Sequence, residues 1–183
     1  MDYYNEWFKK GFGNRDQIFN ELLGYFNNKP IKVLEIGTMR SLDERSSGGA
    51  STFFWAEYIK KNGGELHVCD SSMPSLQFCQ TILFNFYDKT RFYLNTGVNI
   101  LNSFNSLNAT WDIIYLDGSD DPKEMIDEFL ICHSKYVLCD DFYTKGSILK
   151  QIYPNHRLYK WNGNNHELAL YGVDKEIVYL EHK

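Results

Sequence analysis

The chain has 183 residues, 43% of them apolar and 23% charged, enough for one domain with a sizeable core and hardly enough for two. Nineteen basic against 24 acidic residues leave a formal net charge of −5, which argues against a nucleic-acid backbone as the main partner. No uncharged apolar run reaches 18 residues, so no membrane-spanning helix is expected.

The opening MDYYNEWFKK carries Asp2 and Glu6 and lacks an apolar run, unlike a secretory leader. Residues 3–28 read as helical on the spacing of Trp7, Phe8, Phe12, Ile18, Phe19, Leu22, Leu23 and Phe26, with Gly11 and Gly13 dividing the stretch. Pro30 ends it. IKVLEIG (31–37) is short and nearly all apolar, the pattern of a strand buried on both faces. A polar loop follows over 38–49, then a helix opening near Ser51 or Thr52. The alternation continues with a strand at 65–70, a helix at 74–88, a strand at 91–97 and the short helix VNILNSFNSL. A fourth strand is expected at 111–119, a helix at 123–134 and a fifth strand at 136–142. Strands alternating with helices imply βαβ units and an open parallel sheet covered on both faces.

The ending differs. Residues 156–174 hold two alternating segments around Asn162-Gly163-Asn164-Asn165, a hairpin signature. The expected fold class is therefore α/β, a Rossmann-like sandwich whose mostly parallel sheet is closed by an antiparallel C-terminal hairpin, as in class I methyltransferases. Residues 1–183 read as one such domain, with a helical segment over 1–29 and the core over 31–174. Cys69, Cys79, Cys132 and Cys139 form no CxxC pair and no zinc spacing, so buried reduced thiols and a cytoplasmic location are expected.

In open α/β sheets ligands lie beyond the carboxyl ends of the strands, where strand order reverses. The five predicted strands end at Glu35-Ile36-Gly37, Asp70, Asn95-Thr96-Gly97, Asp117-Gly118 and Asp140-Asp141. Turns favour these residue types anyway; their concentration on one edge is what points to a site. An acid ending the second strand, Asp70, can accept both ribose hydroxyls of an adenosine cofactor, although a turn-capping Asp is the plainer reading. Gly37 lets a cofactor approach the backbone closely. The GxGxxG fingerprint and the Walker loop are both absent after the first strand, so a ribose-bearing cofactor without a phosphate, S-adenosylmethionine, suits the edge best.

VLEIGT (33–38), HVCD (67–70), LNTG (94–97), WDIIYLDG (111–118) and YVLCDDF (136–142) together resemble the motif series of class I S-adenosylmethionine-dependent methyltransferases. The nearest likeness is to small O-methyltransferases of the catechol, caffeoyl-CoA and macrocin type and to the cephalosporin hydroxylase-like group. The resemblance implies that Glu35 and Gly37 line the methionine end of the cofactor and that Ser51 approaches its carboxylate at a helix N-terminus. It further implies Asp70 on the ribose, Gly97 with Asn99 on the adenine side, and Asp117 in the cofactor pocket. Ser51 can equally be a plain N-cap and Asn99 a helix-start residue.

Metal-dependent relatives hold a divalent cation with one acid after strand 4 and a pair after strand 5. Asp117, Asp140 and Asp141 match in type and order. Strands ~4.8 Å apart bring such carboxylates into one volume, where like charges repel unless a cation or proton intervenes. An all-oxygen cluster suits Mg²⁺ or another hard divalent ion, which lowers the pKa of an acceptor hydroxyl. The alternative is a solvated strand end without metal. Two departures stand out. The family's lysine base, three residues past the strand 4 acid, is here Asp120, which becomes the candidate base beside Asp117 unless Asp120-Asp121 simply starts a helix. Glu35 and Asp70 lie 35 positions apart, where ~20 is usual, and the insert over 38–49, with its charged stretch 40–45, reads as a substrate lid, the alternative being an obstruction of the cofactor site.

The expected function is S-adenosylmethionine-dependent O-methylation, metal-assisted, of a small hydroxylated acceptor such as a sugar or a catechol-like ring. No membrane or nucleic-acid partner is expected, and a second copy of the chain could complete the acceptor pocket as a homodimer. The alternative is a methyltransferase-fold binding protein without catalysis, holding an adenosine ligand or a partner protein.

Overall fold

The computed structural model describes residues 19, 24–41, 51–86, 88–161 and 166–172. Most of the predicted N-terminal helical segment, residues 42–49 of the expected lid, and the hairpin turn 162–165 lie outside the described residues.

The alternation read from the sequence is the alternation found. In chain order the elements are β1 (Ile31–Ile36), α1 (Ser51–Asn62), β2 (Gly64–Asp70), α2 (Met73–Ile82), β3 (Thr90–Leu94) and α3 (Gly97–Ser106). Then come β4 (Trp111–Leu116), α4 (Pro122–Ile131), β5 (Ser134–Cys139), α5 (Ser147–Ile152), β6 (Arg157–Trp161) and β7 (His166–Tyr171). They build one seven-stranded sheet in the order β3-β2-β1-β4-β5-β7-β6. The first five strands are parallel. β7 inserts antiparallel beside β5, pairing Leu138 with Leu170, and β6 takes the edge.

Period-2 alternation sends successive strand residues to opposite faces, so each apolar strand feeds two cores. Val33, Val68, Ile113, Tyr115 and Leu138 pack beneath α1 and α2, together with Phe19, Phe54 and Trp55. Their neighbours Leu34, Ile36, Ile114, Leu116 and Cys139 pack beneath α3, α4 and α5. The rings of Phe19 and Phe54 approach to 4.6 Å between centroids, tilted rather than stacked, a geometry that aromatic quadrupoles favour.

Helix starts follow local chemistry. The Ser72, Thr96 and Asp121 side chains each accept a backbone N–H of the first turn of α2, α3 and α4, and Pro74 and Pro122 sit where a missing N–H costs nothing. Two elements depart from expectation. The helix predicted over 74–88 stops at Ile82 and continues as a 3₁₀ turn, Phe84–Phe86; Leu83 is fully buried, but Phe84 is 71% exposed, so no packing surface remains to hold another α-turn. α5 is too short for its periodicity to show in the sequence.

The four cysteines are free and buried, and burial pushes the Cys69 and Cys79 thiols up to about 12. Among the described residues no helix is long and apolar enough to cross a membrane.

Candidate active site

β1 has β2 on one side and β4 on the other, so strand order reverses there and a crevice must open above it. The ladder hydrogen bonds run past the strand ends: Gly37 N–H donates to the Cys69 carbonyl at 2.8 Å and Asp117 N–H to the Ile36 carbonyl at 2.8 Å. Gly37 has φ +87°, a region that side chains avoid. A Cβ there would collide with the Asp117 carbonyl. Glycine is therefore required for the close crossing of the first and fourth strand-end loops.

Above this crossing lies a cleft of about 310 Å³ walled by Ile36, Gly37, Asp70, Thr96, Gly97 and Gly118, among others. Asp70 lines it, fixed by two backbone amides: Thr38 N–H donates to Oδ2 at 3.0 Å and Ser72 N–H to Oδ1 at 2.7 Å. The carboxylate is held still while each oxygen keeps a further lone pair. Gly97 forms the opposite wall, and a Cβ there would strike the Glu128 carboxyl. Glu128 is 5% exposed. Burial, reinforced by Glu124 and partly offset by Lys145, raises its pKa to about 7.

Glu35 alternates away from Ile36 and so faces α1 rather than the cleft. It is completely buried. The Ser51 hydroxyl donates to its Oε1 at 2.5 Å, while Oε2 has no hydrogen-bond partner. Burial drives its pKa up to about 8; hydrogen bonds from Ser51 and Thr52 oppose that rise, and the charges of Asp70 and Asp140 add to it.

The ends of β4 and β5 hold a feature the sequence reading missed. Asp141 has φ +46°, a left-handed conformation that Asp tolerates better than most residues. The chain then closes a tight turn, with the N–H groups of Thr144 and Lys145 both donating to the Asp141 carbonyl at 3.0 Å. Lys145 folds back over the strand ends. Its Nζ lies 3.1 Å from Asp117 Oδ1, 3.6 Å from Asp120 Oδ1 and 3.6 Å from Asp141 Oδ2, and the residue is 3% exposed. Burial alone would lower its pKa, but Asp117 and Asp141 outweigh burial and raise it.

The structure brings Asp70, Gly37 and Gly97 together at the cleft and Asp117, Asp120 and Asp141 around Lys145. Four expectations differ from this placement, the first being Glu35, which faces α1 rather than the cleft. Asn99 lies in the first turn of α3, exposed and outside the cleft lining, its N–H taken by the Thr96 hydroxyl at 3.4 Å. Ser51 does not face the cleft; its hydroxyl is committed to Glu35. Asp140 does not join Asp117 and Asp141: it is 1% exposed and turned to the α1 face. There its Oδ2 accepts the Tyr115 hydroxyl at 2.6 Å and its Oδ1 accepts the Asp141 amide at 2.8 Å. Among the described residues no three His, Cys, Asp or Glu side chains are placed to share a metal ion. The residues present do not fit the divalent cation expected of Asp117, Asp140 and Asp141, because an ammonium already stands between the carboxylates. They do fit the nucleoside part of S-adenosylmethionine, through an anchored acid in a glycine-walled cleft.

Two signals for the missed residues were in the sequence. Lys145 stands four positions after Asp141, and Glu128 shares the buried stripe of Met125 and Phe129 at helical spacing.

The sheet order, with its one antiparallel insertion, is that of class I methyltransferases. No protein-family model and no curated protein matches the sequence. Solved structures share the fold at low identity. An O-methyltransferase from Bacillus cereus in complex with SAH superposes with a TM-score of 0.62 at 13% identity, over 88% of this chain and 81% of that one. A methyltransferase from Geobacter sulfurreducens gives 0.56 at 13% identity, over 82% and 75%. A putative rRNA methylase from Clostridium thermocellum gives 0.57 at 11% identity, over 78% and 86%.

Proposed function

We propose that the protein is an S-adenosylmethionine-dependent O-methyltransferase acting on a small hydroxylated acceptor. The observation that carries this reading is Asp70: an acid ending β2, held by the Thr38 and Ser72 amides and lining the cleft beside β1.

S-adenosylmethionine, when bound, supplies an electrophilic methyl group. The chain's own residues would orient and deprotonate. Asp70 accepts the ribose hydroxyls, and the Gly97 wall leaves room for the base. An acceptor hydroxyl must lose its proton as the new C–O bond forms, and the reading gives that role to Asp120, 99% exposed at its side chain, with Asp117 behind it. Acids crowd this edge: Glu124 and Glu128 on the cleft, Asp117, Asp120 and Asp141 beside it. That charge supports a small neutral acceptor over an RNA backbone.

A second reading, a binding protein of the same fold, draws on one observation: Lys145 engages both Asp117 and Asp120, occupying the candidate bases. Calorimetric titration separates the outcomes. S-adenosylmethionine and S-adenosylhomocysteine should bind, and Asp70→Ala should weaken both at least about tenfold, the loss of ~1.4 kcal/mol or more expected when hydrogen bonds to a charged group vanish. Unchanged affinity in the variant overturns the ribose assignment. Tight binding with no turnover across a panel of sugars and catechols favours the binding protein.

A further inference from the structure

We infer that Lys145 is a built-in cation: its ammonium takes the place that a divalent ion would fill at the ends of β4 and β5 and excludes such an ion from this chain. Placing that point at the acceptor end of the cleft rests on the methyltransferase reading; the exclusion of the ion does not.

The geometry matches the role. An ammonium offers three N–H donors, and Lys145 Nζ faces three carboxylates contributed by separate parts of the loops: Asp117 at 3.1 Å, Asp120 at 3.6 Å and Asp141 at 3.6 Å. The side chain is buried at 3% exposure, unlike a surface lysine that merely strays near acids. Its backbone is fixed too. The Lys145 and Thr144 amides bond the Asp141 carbonyl, Gly146 N–H bonds the Phe142 carbonyl at 3.0 Å, and a Cβ on Gly146 would strike the Phe142 ring. The turn that delivers the ammonium has little room to adopt another shape.

The same turn dismantles a metal site. Mg²⁺ demands six oxygens in a near-octahedral shell. Here Asp140, the residue whose counterpart would complete the set, is packed against the Tyr115 hydroxyl on the opposite face of the sheet. A dication beside the lysine would also meet a like charge at close range. Lys145 is thus a positioning residue: it acts through Asp117 and Asp141, holding them as an ion would.

Mn²⁺ titration followed by electron paramagnetic resonance tests this on the full chain, with Lys145→Met and Lys145→Arg alongside. The parent and Lys145→Arg should leave millimolar Mn²⁺ unbound. Lys145→Met, in which the three carboxylates lose their ammonium and can draw together on an ion, should take up one equivalent at least tenfold more tightly, and Asp141→Asn in that background should abolish the uptake. Stoichiometric binding by the parent that is lost in Asp117→Asn overturns the inference. So does a folded Lys145→Met blind to Mn²⁺. If Lys145→Met does not fold alone, Mn²⁺ or Ca²⁺ must restore its folding, and failure of both to do so overturns the inference equally. S-adenosylhomocysteine titrated into the parent separates the two claims, because absent nucleoside binding defeats the methyltransferase reading and leaves the Mn²⁺ result standing.

Discussion

Glu35 gives the protein a pH signature that can be computed and then removed. Its carboxyl is fully buried, and its pKa rises from 4.5 to about 8 in the fold. Between those values the folded chain holds a proton that the unfolded chain has released, so stability must fall as pH rises through that window, by up to ~1.4 kcal/mol per unit. Integrated from pH 5.5 to 7.5, Glu35 alone accounts for roughly 2–3 kcal/mol of lost stability. Glu128, raised to about 7, pulls in the same direction, and His67 and His156, both lowered, pull in the other. All three persist in Glu35→Gln and cancel in the comparison with the parent. The substitution suits the site because the amide oxygen can still accept the Ser51 hydroxyl that now donates to Oε1. Urea denaturation at several pH values should show Glu35→Gln losing roughly 2–3 kcal/mol less than the parent over this interval. Parallel stability curves for the two proteins would refute the buried, protonated state assigned to Glu35.

Two further substitutions probe the strand ends. Gly37→Ala should destabilise the chain by roughly 1–3 kcal/mol or more in urea melts, because φ +87° disfavours any side chain and the new Cβ would meet the Asp117 carbonyl; a neutral result would mean that the crossing of the two loops is not tight. Tyr115→Phe should cost about 1–3 kcal/mol, since it removes the hydroxyl that Asp140 Oδ2 accepts at 2.6 Å. A loss below about 0.5 kcal/mol in urea melts would show that the hydroxyl contributes nothing beyond packing.

The fold was legible because its signals are repeated and local. Five short apolar runs each ended in an acid or a glycine, and the two alternating C-terminal segments announced an antiparallel pair; β6 and β7 are that pair, with β7 inserted beside β5. The meeting of Asp70, Gly37 and Gly97 at one cleft was legible for the same reason, since they are strand-end residues whose position follows from the strand itself. Side-chain direction was not. Asp140 and Asp141 look equivalent in YVLCDDF, yet Asp140 continues the pleat towards α1 and meets Tyr115, while Asp141 enters a left-handed turn. Nothing in a motif series records which of two adjacent acids keeps the strand's alternation. Lys145 was hidden for a related reason: its contact with Asp117 joins residues 28 positions apart through a turn that only the folded backbone defines.

The two ends of the edge therefore differ in kind. At one end the chain gathers Asp70, Gly37 and Gly97 around a cleft. At the other it gathers carboxylates and sets a covalently attached cation among them. An ion can leave, exchange and coordinate a substrate oxygen; a lysine buried to 3% exposure can only neutralise and orient its neighbours. Three formal carboxylates against one ammonium leave that end negative whatever the metal content of the medium. Under the proposed methyl transfer, a two-oxygen chelating acceptor would lose the advantage that a metal gives it, and a single hydroxyl would fit better. The shared fold does not choose the acceptor, because structures that share it at 11–13% identity include both an O-methyltransferase and a putative rRNA methylase; the residues at this end are where the proposal puts that choice.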